Sequence, residues 1–158
     1  MTTAVRHSPI VAWARLLLGV IFVLHGLNGF LHFVPQDFIV RATTDVPEPA
    51  LAFVAALLIA GFVFPLINVV EIFAGALLLS NHLVPLALTV LAPIIVNMAL
   101  FYVVLAGLAP AGTALTAAML GLSIYLAWTY REAFRPMFTD HPDGKPGVTR
   151  PHTELRTA

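Results

Sequence analysis

The chain has 158 residues, the size of one domain, with 59% hydrophobic and only 10% charged residues. Its mean hydropathy is +0.93, and a soluble domain carries about 25% charge. So little polar surface excludes a water-soluble globule and makes lipid the solvent. The formal net charge is zero and there are no cysteines, which excludes thiol redox chemistry, disulfide staples and thiolate metal sites within the chain.

Four apolar stretches, about Ile10–Val34, Phe62–Leu79, Val84–Gly107 and Gly112–Phe134, each approach the length of a membrane span; crossing a hydrocarbon core takes roughly 20 residues. The first carries no small-residue cleavage pattern and reads as a retained helix rather than a signal peptide. The expected fold is an all-α integral membrane four-helix bundle occupying residues 1–138. Residues 139–158, rich in Pro, Thr, Gly and charge, read as a disordered cytoplasmic tail.

A fifth apolar piece, Ala50–Ala60, is too short to cross. Joined to the second span as one straight helix it would measure about 45 Å, overshooting the core. Pro65 lacks an amide donor and clashes with the carbonyl of Gly61 in a continuous helix. The pair predicts a short interfacial or re-entrant helix, a bend and then the second span. One long kinked helix is the alternative.

Basic residues set the orientation. Arg6 and Arg15 flank or enter the first span, and Arg131, Arg135, Lys145, Arg150 and Arg156 follow or end the fourth. The positive-inside rule then puts both termini in the cytoplasm. Trp13, Tyr125, Trp128 and Tyr130 fall where an aromatic belt belongs, and Arg15 is placed to snorkel to the headgroups.

Glu71 is the only acidic residue inside an apolar run. A carboxylate at that depth is costly to bury, so it marks a candidate site. Asn68 lies one turn before it. On the first span His25, Asn28 and His32 are spaced to share one helical face, and on the third Asn97 lies one turn after Pro93. At 1.5 Å per residue, Glu71, Asn97 and His25 lie at a common depth of about 10–14 Å from the outer surface. Asn28 and Asn68 are shallower, and His32 is near the surface.

Two readings of this cluster stay open. One is interhelical hydrogen bonding, worth on average about 0.6 kcal/mol per bond in measured membrane proteins. The other is an outward-opening polar pocket for a quinone head group, another polar ligand or a proton, formed by Glu71, Asn97, His25, Asn28, Asn68 and His32. No metal is expected: the two histidines sit two turns apart, and neither an HExxH motif nor a Glu-x-x-His pair occurs. His82 reads as a solvated turn residue. Gly112, Thr113, Thr116, Ala117 and Gly121 give the fourth span a small-residue face suited to close packing. No phosphate loop, Ser/His/Asp arrangement or nucleic-acid patch occurs.

The run Arg15-Leu-Leu-Leu-Gly19, Phe22 and His25-Gly-Leu-Asn-Gly-Phe-Leu-His-Phe-Val-Pro35 resembles the first helix of DoxX-like bacterial membrane proteins. Gly61, Pro65-Leu66, Glu71, Gly75-Ala-Leu-Leu-Leu79, Pro85-Leu-Ala-Leu88 and Ala92-Pro-Ile-Ile-Val-Asn97 continue the likeness through about Leu105. The fourth span matches by hydropathy alone. The resemblance implies a four-helix inner-membrane protein tied to quinone-linked sulfur oxidation or to complexes of oxidative-stress and thiol homeostasis. Related methylamine-utilisation members use cysteines, which this chain lacks. The function this implies is a non-catalytic quinone- or partner-binding subunit of a membrane oxidoreductase system, with other oxidoreductase subunits, the lipid bilayer and a second copy of the chain as partners. A small-solute or proton-coupled transporter and a purely structural scaffold are the alternatives.

Overall fold

The computed structural model describes residues 8–34, 47–108 and 110–138, and everything ordered in them is helical. Helix α1 is Pro9–Leu31, α2 is Glu48–Ala60, α3 is Val63–Leu79 and α4 is Val84–Leu100. A π-helical turn, Phe101–Leu105, prolongs α4, and α5 (Pro110–Thr129) and α6 (Arg131–Phe138) complete the order. The 139–158 tail lies outside the described residues, as do the loop charges Asp37, Arg41 and Asp45.

Three segments, Pro9–Leu31, Val84–Leu105 and Gly112–Thr129, are long and apolar enough to cross a membrane. The bent pair of α2 and α3 brings the number of spans to as many as four, and α3, the second in chain order, runs antiparallel along α1. Arg15 meets Leu78 and Leu79 at one end, and Gly26 meets Asn68 and Ile72 toward the other. The expected all-α membrane bundle is the fold observed.

Helices α2 and α3 meet at 88°, so they form two helices rather than one kinked rod. The break falls at Gly61, whose φ of 75° is a left-handed conformation that a glycine adopts without strain. Pro65 is then the third residue of α3, where a helix has no acceptor for its amide anyway. The proline therefore starts the second helix rather than interrupting a longer one. At 13 residues α2 measures about 20 Å, too short to cross. It is apolar on all sides, and only Ala50 is fully buried, while Leu58 and Ile59 face outward. This suits a re-entrant or interfacial element surrounded mostly by lipid.

The core follows helical spacing. Val11, Ala14, Leu18 and Phe22 of α1 pack with Ala74 and Leu78 of α3, with Leu88, Leu91 and Ile95 of α4 and with Met119 and Leu126 of α5. The opposite face of α1, Ile10, Trp13, Leu17, Val20 and Leu24, is exposed, as a lipid-facing stripe must be.

Several expectations change in detail. The fourth span ends at Thr129 rather than Phe134, because the amphipathic sequence Arg131-Glu-Ala-Phe-Arg-Pro-Met-Phe138 departs as a separate helix after a turn at Tyr130. Trp13 and Trp128 are exposed, but Tyr130 is 8% exposed and joins the core rather than an aromatic belt. Arg15 does more than snorkel: its Nη1 donates to the carbonyls of Leu78 and Leu79. Those are C-terminal carbonyls of α3, left without partners within the helix, where a cation also meets the negative end of the helix dipole. On the fourth span, Gly112 makes room for the Tyr102 ring, yet a Cβ on Gly121 would meet nothing within 4 Å. Close packing accounts for only part of that small-residue face.

Candidate functional site

The contact that positions the site is the α1–α3 seam. A Cβ on Gly26 would lie 2.7 Å from the Asn68 carbonyl oxygen and 2.8 Å from Ile72 Cγ1. One on Gly75 would lie 2.8 Å from Val23 Cγ2 and 2.9 Å from the Gly19 oxygen. Only glycine allows backbones this close, and lipid tails are as apolar as the helices, so van der Waals packing of this kind is what joins them. The seam fixes the register of His25 against Glu71.

His25 Nδ1 lies 2.7 Å from Glu71 Oε2. The length is that of a charge-assisted N–H···O bond. The Glu71 side chain is fully buried, whereas that of His25 is 48% exposed. Glu71 Oε1 is buried without a hydrogen-bond partner. The carboxyl group thus stands behind the ring and orients it, leaving Nε2 as the polar atom that the imidazole presents outward.

In front of this pair is a cavity of about 390 Å³, within the range of small-molecule sites. Its walls come from four helices and the π-helical turn. Besides His25, they are Phe53, Val54 and Leu57 of α2, Phe64, Ile67, Asn68 and Glu71 of α3, and Pro93, Ile94, Asn97 and Met98 of α4. Phe101 and Tyr102 of the π-helical turn close one side. Phe53 and Phe101 meet in a tilted ring contact with centroids 6.0 Å apart. Local π-helical geometry of this kind recurs at functional sites.

Four of the six candidate residues, His25, Asn68, Glu71 and Asn97, therefore line one cavity. Asn97 is exposed and Asn68 buried. Among the described residues neither amide has a side-chain hydrogen bond to another protein group. One interhelical staple is present, His25 to Glu71, while both amides remain available. The other two candidates lie apart. Asn28 Oδ1 accepts the Val34 amide at 2.9 Å, holding the chain as it leaves α1. His32 is the left-handed C-cap of that helix, its φ 49°, with Nδ1 3.2 Å from the Phe30 oxygen. Helix α1 ends at Leu31, so the shared face of His25, Asn28 and His32 does not extend to His32.

No known protein family, characterised protein or solved structure matches the chain. The site must be read from its own geometry. Among the described residues, no three His, Asp or Glu side chains converge as metal ligands. The aromatic walls, Phe53, Phe64, Phe101 and Tyr102, carry no mark in the sequence, where an aromatic residue in an apolar run looks like any lipid-facing one. The usable signal was the position of Tyr102 just beyond Asn97 in the same span.

Chemically, the arrangement offers one oriented imidazole and two amides at the wall of a chamber that is otherwise apolar and aromatic. It suits a flat, weakly polar head group on an apolar body. Among the described residues, no serine, threonine or lysine lines the cavity.

Proposed function

We propose that the chain is a non-catalytic accessory subunit of the DoxX-like type, holding a quinone head group within a membrane oxidoreductase system of the bacterial inner membrane. Both termini face the cytoplasm in this reading, and the cavity opens in the outer half of the bilayer. The observation that supports it is the joint placement of His25, Asn68, Glu71 and Asn97 on a cavity of about 390 Å³ with aromatic walls. Polar groups left unpaired at membrane depth are costly, and a bound head group would satisfy them. The apolar flank of α2 offers a path for a lipid tail.

Native mass spectrometry of the protein extracted from its own membrane tests this. Quinone is expected on the wild-type chain and is expected to be lost from Asn97→Leu, with helix content unchanged. A wild-type protein free of quinone, together with crosslinking that finds no oxidoreductase partner, would sink the proposal.

A second reading, proton-coupled transport, draws on the buried hydroxyls of Thr113, Thr116 and Ser123, none of which has a hydrogen-bond partner. They lie along α5. That helix contributes nothing to the cavity wall, so the two polar regions do not form one path, and the binding role is preferred.

A further inference from the structure

We infer that the cavity selects the oxidised, carbonyl form of its ligand over the reduced, hydroxyl form, because His25 Nε2 is held as an N–H donor. The inference rests on the cavity being a head-group site, as proposed above.

The argument is a count of protons. The cavity wall contains one acidic residue, Glu71, and no lysine or arginine. The nearest described span cation, Arg15, is engaged at the far end of the seam by Leu78 and Leu79. A net charge on the His25–Glu71 pair would therefore stand uncompensated against an apolar chamber, with the carboxyl group fully buried, which burial of an unpaired charge disfavours. The pair is accordingly neutral overall, which means two protons are shared among Nδ1, Nε2 and the carboxyl group.

One of these lies on the 2.7 Å line between Nδ1 and Oε2. The second has two places to go, Oε1 or Nε2. On Oε1 it would be a buried donor without a partner, since that oxygen has none, and an unsatisfied buried donor is expensive. On Nε2 it sits on a half-exposed ring at the cavity wall. Whether the first proton is nearer nitrogen or oxygen makes no difference: in both neutral arrangements Nε2 carries hydrogen. The imidazole thus presents a donor, and a quinone carbonyl accepts from it more strongly than a hydroquinone hydroxyl, whose oxygen lone pair is drawn into the ring. The amide of Asn97, also on the wall, offers both an N–H donor and a carbonyl acceptor, so the imidazole is the group that discriminates. Glu71 touches no ligand in this scheme and is a positioning residue that keeps the hydrogen on Nε2.

Two measurements on the full chain in lipid nanodiscs test the inference. Nitrogen-15 NMR of the wild-type imidazole should show Nε2 protonated, and a bare Nε2 would overturn the inference without recourse to any variant. The second uses decyl-benzoquinone and decyl-hydroquinone as probes, titrated anaerobically. The quinone should bind about tenfold more tightly, a factor within the net worth of one hydrogen bond that is stronger to the carbonyl than to the hydroxyl.

The double variant His25→Phe/Glu71→Leu, which leaves no unpaired carboxyl behind, should bind both probes equally. Equal binding by the wild type would overturn the inference while leaving the head-group site intact, and so would a preference that survives in the double variant. If neither probe binds the wild type, the head-group site itself fails and the inference falls with it.

Discussion

The two sides of α3 are built on opposite rules. Toward α1 it presents Gly75 and a backbone approached so closely that added Cβ atoms on Gly19, Gly26 and Gly75 would all lie about 3 Å or less from α1 or α3 atoms (the nearest at 2.7 Å). Toward α2 and α4 it presents Phe64 and Ile67 to an open chamber, with Asn68 at the boundary, its side chain against Gly29 of α1. Glu71 sits between the two, its side chain fully buried. The comparison shows how a membrane bundle can hold a carboxyl group in place. The rigid side fixes the distance from His25 to Glu71, and the open side leaves that pair something to bind. A bundle packed equally on both sides would have a staple and no site.

The largest expected effect attacks the rigid side. Gly26→Ala places a methyl group 2.7 Å from the Asn68 carbonyl oxygen, and backbone cannot move aside as a flexible side chain can. The helices must separate, at about 3 kcal/mol, the upper end of ordinary overpacking costs. Gly121→Ala is the control, since its added Cβ meets nothing within 4 Å. It should be neutral, or stabilising by up to about 1 kcal/mol through helix propensity. Thermal unfolding of both variants in one detergent checks the pair. Equal stability would mean that the seam is not what holds α1 to α3.

Much of this was legible in the sequence, for definite reasons. Helical spacing of Val11, Ala14, Leu18 and Phe22 is a property of the chain, so the buried stripe of α1 follows from it. Gly61 and Pro65 identify the break because their backbone limits are local. Glu71 announces itself as an acid among apolar residues, and depth counting brings His25 and Asn97 to its level. Less was legible where the outcome depends on where a helix stops. Asn28 has the spacing of a site residue, but the end of α1 at Leu31 turns its side chain to the Val34 amide. Tyr130 has the composition of a belt residue, but the turn that starts α6 folds it inward. The choice between a hydrogen-bond network and a cavity rests on which amides find partners. Sequence spacing does not resolve distances that small.

A smaller effect is expected from the pair that joins the two sides. His25→Leu leaves the whole Glu71 carboxyl group, now with neither oxygen bonded, inside the bundle. The cost is about 1–3 kcal/mol, the penalty for orphaning a buried polar group. The double variant His25→Leu/Glu71→Leu removes that penalty and should recover most of the loss, as buried pairs replaced by apolar residues often do. A thermodynamic cycle with the two single variants measures the coupling. If the two single losses simply add in the double variant, the 2.7 Å contact contributes no coupling and the carboxyl group is held by the seam alone.

The smallest effect separates the end of the seam from its middle. Arg15 closes the C-terminal carbonyls of α3, a favourable placement for a cation and worth about 1 kcal/mol or less at a partly exposed helix end. Arg15→Gln retains an amide donor that can reach one carbonyl but loses the charge, so a slight drop in melting temperature is the expected result. The cavity lies toward the opposite end of α3, at Asn68 and Glu71. Ligand affinity should therefore stay unchanged if Gly19 and Gly75, which meet on the seam between Arg15 and the His25–Glu71 pair, hold the register by themselves. A fall in affinity comparable to that of a cavity-wall variant would show instead that the seam behaves as one lever from end to end. The rigid side would then have to be redrawn as a clamp that depends on its terminal charge.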